Sequence, residues 1–261
     1  MRIDVYLTEN GYVKSRERAK SLIKAGQITA NGVIVTKPSY DVTDETDITI
    51  TGEQLKYVGR GGLKLEKAIE YFNINLENRI CLDIGASTGG FTDCMLQNGA
   101  SYVYAVDVGH DQLDETLVND NRVKNMERTN IRDLTIDDFI PNPSFIATDV
   151  SFVSLKQILP KIKELLPDNG EAAVLIKPQF EAGKSAIGKN GIVKDRKVHE
   201  KVLADIISFC FAQQLEAVNL IHSPISGGDG NIEYLLHLKI GTQSHIFDYK
   251  KIVSAAFDEL K

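Results

Sequence analysis

Three cysteines in 261 residues, Cys81, Cys94 and Cys210, are odd in number and show no C-x-x-C spacing. They suggest neither a disulfide framework nor a zinc site, and a reducing cytosol is the simplest setting. None of the five histidines stands at a ligand spacing such as H-E-x-x-H. Met1-Arg2-Ile3-Asp4-Val5-Tyr6 carries no apolar signal core, and no run approaches the roughly 18 uninterrupted apolar residues of a membrane span. These absences describe an unexported, cytoplasmic chain with no membrane span and no metal. A positive surplus is missing too, since 30 Lys and Arg stand against 36 Asp and Glu for a net charge of -6. Any claim of nucleic-acid binding therefore rests on local charge, not on the total.

The length suits one ordinary domain plus a small one. Residues 1–54 form the small unit, 55–60 a linker and 61–261 the large domain. In the small unit Ser15 can cap a helix over 16–25 that Gly26 ends, with Ala19, Leu22 and Ile23 on one face. Lys14, Arg16, Arg18, Lys20 and Lys24 face the single acid Glu17 over the same stretch. Arg16, Lys20 and Lys24 fall at i, i+4 and i+8, a stripe that can follow a phosphate backbone or be a solvated face. Asn31-Gly32 between Gln27–Ala30 and Val33–Thr36 signals a hairpin, and Asp47–Ile50 a third strand.

A helix opens at Arg60-Gly61-Gly62-Leu63-Lys64 and runs to Phe72. Beyond it strand patterns at 80–85, 102–108, 123–127, 145–150, 172–177, 216–222 and 232–240 alternate with helical ones. The fold class is α/β, a Rossmann-like, doubly wound and mostly parallel sheet whose closely connected final strand is antiparallel, preceded by the small α+β domain. Ligands then bind outside the carboxyl ends of the strands. There, Ile80-Cys81-Leu82-Asp83-Ile84 leads into Gly85-Ala86-Ser87-Thr88-Gly89-Gly90-Phe91. Ser87 replaces the middle glycine of G-x-G-x-x-G that makes room for a pyrophosphate, which argues against NAD. Asp83, with Asp107 after the next strand, suits a ligand with an ammonium and ribose hydroxyls but no phosphate, namely S-adenosylmethionine; an ordinary strand-turn-helix is the plainer alternative. The long connection 178–196 is a candidate substrate-facing loop, and 244–261 can form an amphipathic helix.

Lys64, Asp149, Lys177 and Glu233 recur at strand ends or at a helix start around this pocket, as an ion-pair network or as reactive groups. Together with Arg2-x-Asp4-x-Tyr6-Leu7, Ser15-Arg16, Asn31-Gly32, Asp149-Val150-Ser151-Phe152, Lys177-Pro178-Gln179-Phe180-Glu181 and Gly230-Asn231-Ile232-Glu233, the pattern resembles the TlyA family. That family joins an S-four-like RNA-binding module to an FtsJ (RrmJ)-type methyltransferase domain.

The resemblance implies methyl transfer from S-adenosylmethionine to the 2′-hydroxyl of a cytidine ribose in ribosomal RNA, with ribosomal subunits as partners. Lys177 is the candidate base, its neutral form favoured by a neighbouring cation such as Lys64 and by the sulfonium, while Asp149 and Glu233 orient it and place the ribose. Asp83 and the turn Gly85 to Phe91 would hold the methionine end, Asp107 and Val108 the ribose, and Asn130 and Ile131 the adenine. Arg2, Lys14, Arg16, Arg18, Lys20, Lys24 and Arg60 would meet RNA. The chain departs from the family at Glu115-Thr116-Leu117-Val118, where a Trp-Lys-Leu-Arg-like run is usual, and at Gly59, where serine is usual. Its short N-terminus resembles the family form associated with large-subunit RNA only. The family's hemolysin label offers a second reading, which the α/β pattern opposes, and a non-catalytic ribosome-assembly factor is a third.

Overall fold

The computed structural model describes residues 1–13, 16–24, 26–51, 56–183, 186–188 and 191–260. Lys14, the cap Ser15, Leu55 and parts of the 178–196 loop lie outside the described residues, as does the side chain of Arg18. The chain divides into two units, Met1–Gln54 and Leu55–Lys261.

In the first unit α1 (Ile3–Glu9) and α2 (Arg16–Lys24) precede β1 (Ile28–Ala30), β2 (Val33–Val35) and β3 (Ile48–Ile50). β1 is central and antiparallel to both neighbours. Asn31 and Gly32 have φ of 51° and 77°, the left-handed pair that a two-residue hairpin turn needs to match strand twist. Ile3, Leu7, Ala19, Ile23 and Ile28 form the core. Asp4 is fully buried, and Arg2 Nε (2.9 Å) and Arg16 Nη2 (3.0 Å) both donate to it. Burial opposes its charge, but the two guanidiniums prevail and hold the carboxyl below its ordinary value.

The second unit runs α3 (Gly61–Phe72), β4 (Ile80–Ile84), α4 (Gly90–Gln97), β5 (Tyr102–Val106), α5 (Glu115–Val118), β6 (Val123–Met126), β7 (Phe145–Thr148), α6 (Leu159–Leu165), β8 (Glu171–Ile176), α7 (Pro178–Glu181), α8 (Arg196–Ala212), β9 (Leu215–His222), β10 (Tyr234–Ile240) and α9 (Tyr249–Glu259). The sheet order is β6-β5-β4-β7-β8-β10-β9, with β10 antiparallel to both β8 and β9. The last strand in sequence thus lies inside the sheet. Its composition explains this: Tyr234 to Leu238 are all buried, whereas β9 alternates buried and half-buried residues as an edge strand does. One face packs Ile84, Tyr104, Leu159 and Leu203 beneath α6, α8 and α9; the other packs Leu65, Phe72, Phe91 and Met95 of α3 and α4.

Residues 56–60, read from the sequence as linker, are built into this unit. Tyr57 is 2% exposed, and Val58 N donates to Asp93 Oδ2 at 2.8 Å. A Cβ on Gly62 would lie 2.3 Å from the Tyr57 ring, so glycine is what lets α3 start against it. Among the described residues no helix is long and apolar enough to cross a membrane.

Candidate active site

β4 has β5 on one side and β7 on the other, so the order of connection reverses at its carboxyl end, where an open α/β sheet leaves a crevice. The backbone there is drawn tight. Gly85 has φ +87°, and a Cβ on it would lie 2.8 Å from the Asp149 carbonyl oxygen. A cavity of about 220 Å³ opens at this point, lined by Gly85 to Thr88, Gly90 and Phe91 of the turn and by Gly61, Asp149, Ser151 and Lys177. Gly89 caps α4 in a left-handed conformation.

The two acids named for the cofactor differ in setting. Asp107 is half-exposed, with Ser87 N donating to Oδ2 at 2.8 Å and Gly109 N to Oδ1 at 2.7 Å. Each of its oxygens keeps a lone pair for another donor. Asp83 is fully buried two residues before Gly85; Thr92 Oγ1 donates to Oδ2 at 2.7 Å, while Oδ1 has no partner. Burial, above all, pushes this carboxyl up to about 7. Of the residues expected near the ligand, Asp83, Gly89, Asp107, Val108, Asn130 and Ile131 stand apart from the cavity lining. Val108 is exposed, Asn130 Oδ1 accepts from Arg132 N (3.1 Å) within its own turn, and the Ile131 side chain is core, since Ile131–Asp133 is a 3₁₀ turn folded onto the sheet.

The four charged residues come together. Lys64 projects from α3, Asp149 follows β7, Lys177 follows β8, and Glu233 precedes β10, whose pairing of Tyr234 with Ile176 sets Glu233 beside the end of β8. Lys64 Nζ donates to Glu233 Oε2 (2.6 Å) and Asp149 Oδ2 (3.4 Å). Asp149 Oδ1 pairs with Lys177, whose Nζ also donates to Ser151 Oγ at 2.9 Å. Gln179 Nε2 donates to Glu233 Oε1 at 3.3 Å. Burial disfavours the Lys64 ammonium, but Asp149 and Glu233 outweigh it and raise its pKa, so Lys64 stays charged.

Two expectations need correction. Glu233 was to orient Lys177, yet it holds Lys64. Lys64 was to press on Lys177 as a bare neighbouring cation, yet Asp149 lies between them and compensates both. Ser151 and Gln179 were missed, although both stand in motifs the sequence made prominent, because only acids and lysines were singled out.

The residues named for RNA are also divided. Arg2 and Arg16 are committed to Asp4 with 49% of each side chain exposed; Lys20 is half-buried, and Lys24 and, in the second unit, Arg60 are exposed. Among the described residues no group of three or more His, Cys, Asp or Glu could hold a metal.

Residues 57–240 match the model of the FtsJ-like methyltransferases. The chain belongs to this family. Its residues 1–48 match the S4 domain model. Hemolysin A of Brachyspira hyodysenteriae is 47% identical over 92% of this chain and 100% of its own length. The 16S/23S rRNA (cytidine-2'-O)-methyltransferase TlyA of Mycobacterium tuberculosis is 38% identical over 92% of this chain and 90% of its own. A solved structure from Streptococcus thermophilus, 46% identical, superposes with a TM-score of 0.81 and covers 99% of this chain and 96% of that one. The family match covers the cavity, the glycine turn and all four charged residues.

Proposed function

We propose that this protein methylates the 2′-hydroxyl of a cytidine ribose in ribosomal RNA, using S-adenosylmethionine. The observation that carries the reading is the chain Glu233–Lys64–Asp149–Lys177 ending at the cavity beside the Gly85–Phe91 turn. The cavity fits the cofactor. A buried, unpartnered Asp83 Oδ1, on the strand that leads into the turn, is an acceptor for an ammonium. Asp107 offers its remaining lone pairs to ribose hydroxyls.

Bound S-adenosylmethionine supplies an electrophilic methyl group, whose bonding pair to sulfur stays with the sulfur as the ribose oxygen bonds the carbon. A ribose hydroxyl is a weak nucleophile, so a base must take its proton during attack, a contribution of roughly 10²- to 10⁴-fold. Lys177 is that base, because its Nζ reaches the cavity from the end of β8. Asp149 fixes Lys177 from one side and Lys64 from the other. Lys64, kept charged, anchors the Asp149 carboxylate, and Glu233, which accepts from Gln179, holds Lys64 in place. The S4 domain, with Lys24 and the half-exposed Arg2 and Arg16, supplies backbone affinity for RNA. Such a substrate implies a cytoplasmic location.

The test is transfer of labelled methyl from S-adenosylmethionine to purified ribosomal subunits, with 2′-O-methyl sites mapped in both 16S and 23S RNA. The large-subunit expectation gives label in 23S RNA alone. Absence of ribose methylation, where an active relative succeeds, overturns the function.

A further inference from the structure

We propose that Ser151 is a positioning residue for the base, fixing the rotation of the Lys177 amine so that its lone pair faces the ribose hydroxyl. The proposal rests on Lys177 as the base of the ribose methyl transfer and adds a residue to that reaction.

The argument starts from the geometry of a neutral amine. Around Nζ stand the Cε bond, two N–H bonds and one lone pair, and rotation about Cε–Nζ offers three staggered placements. Only one of them aims the lone pair at a given substrate atom. A single acceptor leaves two of these placements available, because the second N–H and the lone pair can exchange. Two acceptors leave one. On the segment after β7 Lys177 Nζ has a hydrogen-bond acceptor, Ser151 Oγ at 2.9 Å, and an ion-pair partner, the Oδ1 of the Asp149 carboxylate. With one N–H held by Ser151 and a second drawn toward the carboxylate by its charge, the lone pair takes the remaining direction, and Lys177, Asp149 and Ser151 line the same cavity. Ser151 also differs from Asp149 in kind. A hydroxyl accepts the second N–H without adding another negative charge beside the amine.

The segment that carries Ser151 is held at both ends. Before it, Asp149 N donates to Ile84 O at 3.1 Å and Thr148 Oγ1 to the same oxygen at 3.0 Å. After it, Glu181 accepts from Ser154 Oγ at 2.6 Å and from Leu155 N at 2.7 Å. Glu181 lies one helical turn beyond Lys177, so this clamp joins the base and its acceptor to one another. Between the anchors Phe152 adopts φ 62°, a costly left-handed conformation for a bulky side chain that persists only where its surroundings enforce it. The strained turn keeps Ser151 next to Lys177.

In the reaction the lone pair of Lys177 takes the hydroxyl proton, and the O–H bonding pair becomes available for the new bond from oxygen to methyl. The resulting ammonium keeps its hydrogen bond to Ser151 and its ion pair with Asp149. Its third N–H points into the cavity, where water removes the proton before the next turnover.

Single-turnover methyl transfer by the full chain, with labelled S-adenosylmethionine and ribosomal subunits, tests this. S151A should slow transfer roughly ten- to a hundredfold, the scale of a misplaced reacting group. Its affinities for S-adenosylmethionine and for RNA, and its melting temperature, should stay at wild-type values. S151T, which keeps the hydroxyl, should recover most of the rate. Wild-type speed in S151A overturns the proposal, and so does equal impairment of S151A and S151T, which would assign the effect to the shape of the turn. An inactive wild type would remove the function itself, and an active K177A the base, and the positioning role would fall with either.

Discussion

Two buried charge clusters lie at opposite ends of the large sheet, and β10 runs through both. At the amino ends of β4 and β8, Glu171 accepts from Arg79 Nη2 (2.8 Å) and His237 Nε2 (2.8 Å), with Lys239 Nζ at 3.6 Å. The His237 ring stacks on Phe72 with centroids 5.4 Å apart. One acid is surrounded by three basic groups; the hydrogen bond from His237, with that from Arg79, outweighs burial and holds its carboxyl down at about 2. At the other end two acids alternate with two lysines, Asp149 is shared between both lysines, and a cavity opens onto the last one. Burial of charge is common to both clusters. What distinguishes the second is a lysine that lines a cavity, Lys177, the group proposed as the base.

The sharpest way to break the comparison is K177A. Transfer should fall roughly 10²- to 10⁴-fold while calorimetry finds the affinity for S-adenosylmethionine within about twofold of wild type. If the rate survives, the two ends are both structural.

E171Q should do the reverse, costing roughly 1–3 kcal/mol in urea unfolding because it leaves buried donors poorly matched, with the transfer rate intact. The pH dependence of that loss has a fixed sign. A carboxyl lowered to about 2 contributes stability that is full above its ordinary value near 4.5 and is lost as pH falls toward 2. The advantage of wild type over E171Q should therefore shrink across that window, and a constant difference would refute the account.

Asp83 runs the other way. Its carboxyl, raised to about 7, is neutral at low pH, so an ammonium ligand should bind more tightly as pH rises toward 7, by up to tenfold per unit. Calorimetry at several pH values in wild type and D83N reads this, and a flat wild-type profile removes Asp83 from the ligand's partners. The smallest effect belongs to K239A. Lys239 is 47% exposed and its ion pair is screened by water, so its loss should change stability by less than about 0.5 kcal/mol.

Much of this was legible because it depends on local chemistry. Asn31-Gly32 can close a hairpin whatever surrounds it, and a Gly-rich turn after a short apolar run points to the carboxyl end of a strand. The residue types of the reactive end were equally plain, since lysines and acids inside apolar runs stand out. Their pairing was not, because Glu233 reaches Lys64 only through the insertion of β10 beside β8, a non-local event that periodicity does not encode. The same holds for Arg2, expected to meet RNA, and for Arg16 of the cationic stripe, since the buried Asp4 claims both guanidiniums. Ile131 fails differently, for a 3₁₀ turn too short to show a period carries it into the core. Tyr57 was hidden by its neighbours, a glycine-bearing stretch that reads as linker but packs as core.

The interior place of β10 also sets an order of construction. β8 pairs with β7 as soon as it is made, but β9 has no neighbour in the sheet until β10 slides between them. As the chain emerges from the ribosome that makes it, the glycine turn, Lys64, Asp149 and Lys177 are all in hand before Glu233 appears. The same late strand delivers His237 and Lys239 to Glu171 at the far end. A nascent chain that stops short of β10 lacks Glu233 for Lys64 at one end of the sheet and His237 and Lys239 for Glu171 at the other, so the charge cluster beside the cavity is among the last things this molecule completes.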